Sequence, residues 1–369
     1  MSVNLDLGFF NLQPKPVFRG LVPLIALSVS MMACSSSSDS GGSDNDTADE
    51  HGACLDQAEA ITAAPSKSYL MSFHSADVAA GPDTHKTWIV ESDDFIHWSL
   101  IPGYQAFCGS VPDLIRRDTS LYVFNAGIMR RLDYGTLQWD ATVQVTVRSS
   151  AGGDEIDYFM VDVTPFLGAD GLIHLYYLKN DLGTGYDPAG CGPSTTCTKT
   201  FESATEVSGS GGTEYVVDSG SRVQVVVDEA DVAAMREGGS DPDFFRGASG
   251  EYYLAVMGGP ESTYLFTATG MTDSFAPIGG LGSESLITGS LGAVPSALYD
   301  SSGSRYIWAF TKPGSQITLY SSTSASTSLD GVGAVTQLVN LTGGSFPDDI
   351  GSDYQLNSAG LTKNSASGE

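Results

Sequence analysis

Four aspartates and a serine recur at comparable points of a repeated segment: Asp113 in VPD, Asp162 in VDV, Asp241 and Asp243 in DPD, and Ser296 in VPS. Carboxyl groups held close together raise one another's pKa, so one can stay protonated near neutral pH while another is ionised. Cleavage of a glycosidic bond uses that split. One carboxylic acid assists departure of the leaving group, and the other carboxylate activates water or attacks the sugar. Asp113 and Asp243 align with Ser296, whereas Asp162 and Asp241 fall about two residues earlier. Residues two apart in a strand share a face, so all four acids can point to one side. The competing role is structural, because an aspartate at the start of a strand readily accepts backbone N–H bonds and ties neighbouring segments together.

The elements that must position these residues are hairpins. VPDLIRRDTSLYVFNA (residues 111–126), VDVTPFLGADGLIHLYYL (from Val161), SDPDFFRGASGEYYLAVMGG (from Ser240) and AVPSALYDSSGSRYIWAF (from Ala293) each place two β-branched or aromatic runs around a turn. Such runs, at strand length and separated by turn formers, read as β-hairpins. A second repeated segment, TWIVESDDFIHW, TYLFTATGMTDSFAPI and ITLYSSTSASTSL, runs from an alternating strand into a polar turn followed by an aromatic residue or Leu. It supplies a third strand and an apolar plug. Five units result: 68–108, 111 to about 150, 161 to about 228, 240–280 and 293 to about 340. Hairpins repeated in this way predict an all-β, five-bladed β-propeller of four-stranded antiparallel blades, with the opening motifs innermost. A β-sandwich is the alternative, but it does not need the same opening motif four times.

ESDDFIHW, DPDFF followed by GEYYLAV, and VPDLIRRDTSLYVF resemble the blade motifs of the five-bladed β-propeller glycoside hydrolases of the family 43 and family 32 group, over about Ser68 to Asn340. The resemblance implies an enzyme acting on an oligo- or polysaccharide. It also implies an Asp base from the first unit, a pKa-tuning Asp from the second and a Glu acid from the third. Asp113 carries over as the second of these. The first unit has no DP motif before SKSYLMSF, and the third presents Asp162 where the family has a Glu, with Glu155 just outside the motif. Asp113, Asp162 and Asp243 are the candidate catalytic residues, and Asp241, Arg116 and Ser296 the candidate substrate-binding ones. The alternative is a noncatalytic carbohydrate-binding lipoprotein or an envelope structural module. No cofactor or metal is expected, with a structural calcium ion in the channel as the exception to weigh.

Composition excludes other classes. A net charge of −27 repels nucleic acid and anionic membrane surfaces. Arg116, Arg117, Arg130 and Arg131 form the one dense basic cluster. It would hold an anionic sugar if it faced the site, and is otherwise a solvated edge. Lys15 and Arg19, the apolar run LVPLIALSVSMMA and then Cys34 have the layout of a secretory signal, too short for a comfortable membrane span. MMAC resembles the lipobox of bacterial lipoproteins, which implies lipidation of Cys34 and a membrane-anchored protein of the bacterial envelope, at the outer membrane or cell surface.

The expected organisation is a signal peptide over 1–33, a flexible Ser/Gly/Asp tether over 34–53, the propeller over 54–355 and a disordered tail over 356–369, with the chain a monomer. The tether lacks the apolar surface that would offset its ordering entropy. Four further cysteines in an exported chain predict disulfides, Cys191 with Cys197 across GPSTT and, by elimination, Cys54 with Cys108. Cys34→Ser is expected to release the protein from the membrane fraction or leave the precursor uncleaved. Fractionation of the two forms checks this, and a wholly soluble wild type would overturn it.

Overall fold

A computed structural model of the chain describes residues 58–366, apart from 77–84, 126, 182–196, 228–238, 260, 279–285, 313–315, 347–349 and 352–353. The expected leader and tether lie outside the described residues. Cys34, Cys54 and Cys191 lie outside them too, as does the side chain of Cys197. Cys108 is disulfide-bonded.

Among the described residues, strands form five sheets, and the sole helical element is a single 3-10 turn at Gly343–Ser345. The fold is a five-bladed β-propeller. The inner strands of the second to fifth blades are Pro112–Arg117, Tyr158–Leu167, Ser240–Arg246 and Ala293–Asp300, the opening motifs of the repeat. The fifth blade is a plain four-stranded antiparallel sheet. In the first, second and fourth blades two short segments share the outer position, for example Gln138–Trp139 and Val143–Gln144 against Ile128–Asp133. The third blade adds a parallel strand, Thr146–Arg148 against Glu214–Val217.

The first blade corrects the expected boundary. Its inner strand is Gln355–Lys363, paired antiparallel with Tyr69–Ala76, so residues expected in a disordered tail close the ring. QLNSAGLTK carries few large apolar side chains, and its small residues suit the crowded axis. Leu356 and Leu361 are buried there. The five inner strands touch one another in the circular order 112–117, 158–167, 240–246, 293–300, 355–363 and back to the first.

Each inner strand carries the same irregularity. Val111, Asp162, Asp241, Val294 and Ser358 have φ between 45° and 52°. For four of them the register with the neighbouring strand shifts at that point, as at a β-bulge. A left-handed conformation is costly for Val, which has no polar side chain to compensate locally. Because Val111 and Val294 share it with the acids, the strain belongs to the packing of five strands around an axis and not to chemistry.

Apolar clusters fill the gaps between blades. Phe95, Phe275 and Leu329, the plugs read after the polar turns, are buried, and each packs in one such cluster. Phe95 meets Tyr69 with ring centroids 3.9 Å apart, and the turn before it is held by Asp94, whose carboxylate accepts the N–H groups of Ile96 and His97. Trp308 is fully buried between the fourth and fifth blades, as expected of a gap-filling side chain.

The closing strand sits against the second blade so tightly that a Cβ on Gly360 would collide with Asp113 Oδ1 and lie 2.9 Å from Asp113 Cα. Gly360→Ala should therefore lower stability by about 1–3 kcal/mol, the usual cost of overpacking. Denaturant unfolding checks it, and an unchanged midpoint would show that the ring has slack here.

Candidate functional site

The five left-handed residues line the axis of the propeller. Asp113, Asp162, Asp241 and Asp243 share one cavity there with Val111, Pro112, Val163, Pro242, Val294, Pro295, Ser358 and Ala359. The convergence of the four acids, read from the opening motifs, is present. The cavity measures about 20 Å3. A water needs roughly 10–15 Å3 on such a measure, so this space takes about one water and no sugar ring.

The acids are engaged in bonds between blades. Thr164 donates to Asp113, as does the N–H of Leu114 at 2.7 Å. The N–H of Asp241 donates to Asp162 Oδ2 at 3.1 Å, joining the third and fourth blades. Ser296 Oγ donates to Asp243 Oδ1 at 3.0 Å and the N–H of Ala297 to its Oδ2 at 2.8 Å, joining the fourth and fifth. The N–H of Leu361 then donates to Ser296 Oγ at 2.9 Å, joining the fifth to the first. Asp113 against Gly360 completes the circle. Measured from the bulge, Asp113, Thr164, Asp243, Ser296 and Gly360 are equivalent positions, and each takes part in a junction.

Exposure separates the acids into two pairs. Asp162 and Asp243 are buried, while Asp113 and Asp241 are partly accessible. Burial is the first cause of every shift. It raises Asp113 to about 7 and Asp241 to about 6, against opposing bonds from Thr164 and Leu114 in the one case and Ser240 in the other. Asp162 and Asp243 are pushed up by burial and then by the charges of Asp241 and Asp113, respectively. Mutual repulsion thus acts second to desolvation.

Two expected ligand contacts lie elsewhere in the hydrogen-bond network. Ser296 is buried and does not line the cavity; its hydroxyl is spent on Asp243 and Leu361. Arg116 is away from the cavity, donating to the carbonyl of Asn364 at 2.6 Å and to its side-chain oxygen at 3.0 Å, with its guanidinium over the Tyr134 ring. It fastens the end of the closing strand. The other arginines of the basic cluster are also committed. Arg117 pairs with the buried Glu206, Arg130 is buried over Phe107, and Arg131 pairs with Asp140.

Sequence reading missed Thr164, Ser358 and Gly360. Thr164 stands two residues after Asp162, where Asp243 stands after Asp241, and that spacing was the available signal. The SAG of 358–360 has no acid or proline to mark it. His74, buried and stacked on His85, accepts the N–H of Val111 at 3.1 Å. Among the described residues, no group of three or more His, Cys, Asp or Glu side chains is arranged to hold a metal ion.

No protein-family model and no curated protein matches the chain. Solved structures similar to it include an endo-1,5-α-L-arabinanase from Thermotoga petrophila, at 16% identity and TM-score 0.41, covering 59% of this chain and 52% of that one. An arabinanase from Bacillus subtilis has 16% identity and TM-score 0.39, covering 61% and 78%. An α-L-arabinofuranosidase from Clostridium thermocellum has 12% identity and TM-score 0.41, covering 77% and 95%. The chain spans about half the length of the first of these. Likeness at such identities is one of architecture alone.

The shifted carboxyls set a pH dependence. Asp113 holds its proton longer in the folded chain than in the unfolded one, where aspartate titrates near 3.9, so its contribution to stability falls as pH rises from about 4 through 7. His74, pushed down to about 3 by burial and then by His85, works the other way, with stability lost as pH falls below the ordinary histidine range. The readout is therefore a difference. Asp113→Asn should gain stability relative to the wild type between pH 4 and 7 and level off above, by thermal unfolding. Parallel curves would remove the buried-acid assignment.

Proposed function

We propose that the protein is a glycoside hydrolase-like, carbohydrate-active propeller of the cell envelope, tethered through lipidated Cys34 and acting as a monomer. Its sugar binds at the mouth of the channel, outside the narrow cavity. What carries this reading is the pair of partly accessible carboxyls, Asp113 and Asp241, lining one cavity with pKa values raised to about 7 and about 6. In this reading Asp113 carries the proton and Asp241 the charge. Asp113 then protonates the departing glycosidic oxygen, while Asp241 activates water or stabilises the positive charge that develops on the sugar. Asp162 and Asp243, buried beside them, tie the neighbouring blades together. The disulfides Cys54–Cys108 and Cys191–Cys197 belong to the same exported form.

A second reading, noncatalytic carbohydrate binding, is favoured by one observation. Asp113, Asp162, Asp243 and Ser296 are already spent on bonds between blades, which a binding protein can keep and a hydrolase must partly release. Assays on neutral polysaccharides, arabinan and β-1,3-galactan among them, separate the two. Hydrolysis should be reduced about 100-fold or more in Asp113→Asn and in Asp241→Asn, the scale of a lost acid or base. Binding without turnover in the wild type selects the second reading. Full activity in both variants removes the site assignment.

A further inference from the structure

The third blade carries another hollow, of about 570 Å3, which shares no residue with the channel cavity. Its size falls in the range of small-molecule pockets, about 300–1,000 Å3. Thr200 and Gln224 face each other across paired strands on its floor, and Lys179 lies on the adjoining strand, one residue past the Leu178–Phe201 pair. Its wall is the turn from Asp218 to Ser221.

That turn is held before any ligand arrives. Arg222, only 1% exposed, donates to the carbonyls of Ser219 and Gly220 and, on the other side, to that of Asp273. The Asp218 carboxylate accepts the hydroxyls of Ser203 at 2.6 Å and Thr205 at 2.7 Å. A wall fixed in this way binds without a large ordering cost. The one ammonium of the hollow is also matched internally. Lys179 pairs with Glu202 at 3.3 Å and lies over the Tyr158 ring, and the Tyr158 hydroxyl donates to the same carboxylate.

The lining decides the class of ligand. Two carboxylates against one ammonium disfavour phosphate, sulfate and nucleotides. Val217 is the one apolar side chain other than the aliphatic stems, so an apolar ligand has little to bury against. What the hollow presents is a set of hydroxyls and an amide, Thr200, Ser221 and Gln224 among them, that both donate and accept hydrogen bonds. A neutral, polyhydroxylated ligand matches it. We propose that this hollow is a second saccharide-binding site, which holds a neutral sugar chain by hydrogen bonds without cleaving it. The choice of a saccharide among polyhydroxylated ligands rests on the carbohydrate reading above.

Native mass spectrometry counts the equivalents of neutral arabino-, galacto- and xylo-oligosaccharides bound by the full exported chain. The wild type should take up two equivalents of at least one of them. Gln224→Ala with Thr200→Val should take up one, or bind the other at least about 10-fold more weakly, a difference that loss of one or two hydrogen bonds supplies. Asp241→Asn should keep the equivalent that this double variant loses. Ser221→Ala, read in the same way, covers a double variant that fails to fold. Unchanged uptake by folded hollow variants overturns the inference and leaves the channel reading intact. Loss of one equivalent in them, in a protein with no hydrolytic activity and no response to Asp241→Asn, supports the inference and sinks the channel reading. A wild type that binds none, or one equivalent that the folded hollow variants keep, overturns the inference.

Discussion

Five strands must pass side by side around an axis that leaves space for about one water. Straight strands do not meet that demand, and each inner strand answers it with a residue in the left-handed conformation at the same point of its course. The residue two positions further on stands at a junction with a neighbouring blade. There an aspartate, threonine, serine or glycine stands at each of the five equivalent positions, and every junction of the ring is spanned by a hydrogen bond or by close backbone packing. The C-terminal strand supplies the last position, so the ring is closed by the two ends of the folded chain pairing in one blade.

The same crowding produces the chemistry. A carboxyl placed to reach across a junction is also withdrawn from water, and burial is the first cause of the raised pKa in all four channel acids. Buried carboxyls that accept N–H and O–H bonds are inexpensive only while protonated or well paired. Structural need and proton-holding capacity are therefore properties of one set of residues. Accessibility divides them, leaving Asp113 and Asp241 nearest to solvent, while Asp162 and Asp243 serve the ring.

Charged side chains outside the axis follow a different logic. Arg116 and Arg117 are adjacent in sequence to Ile115 in an inner strand, yet each reaches a different partner, one at the closing strand and one at the buried Glu206. Basic clustering in sequence gave no reliable guide to these destinations, because alternation along a strand sends neighbours to opposite faces and each face meets another blade. The hollow on the third blade shows the same limit. Its floor joins Lys179, Thr200 and Gln224 from three strands, and only strand pairing brings them together.

Sequence by itself determined the repeated hairpins, the count of five blades, the inner place of the opening motifs and the gap-filling role of Phe95, Phe275 and Leu329. These follow from period-two alternation, turn chemistry and repetition, which are local and survive in a linear reading. It also brought Asp113, Asp162, Asp241 and Asp243 to one channel, since a repeated motif maps to a repeated position. Only the tertiary structure decided that residues 355–363 are an inner strand, because their small side chains carry no strand signal and acquire one from the Tyr69–Ala76 edge they complete. It decided as well that Ser296 and Arg116 serve the ring, and that burial outweighs repulsion among the acids. Hydrogen-bond partners and desolvation depend on what neighbouring blades place around a side chain, and no stretch of sequence contains its neighbours from the next blade.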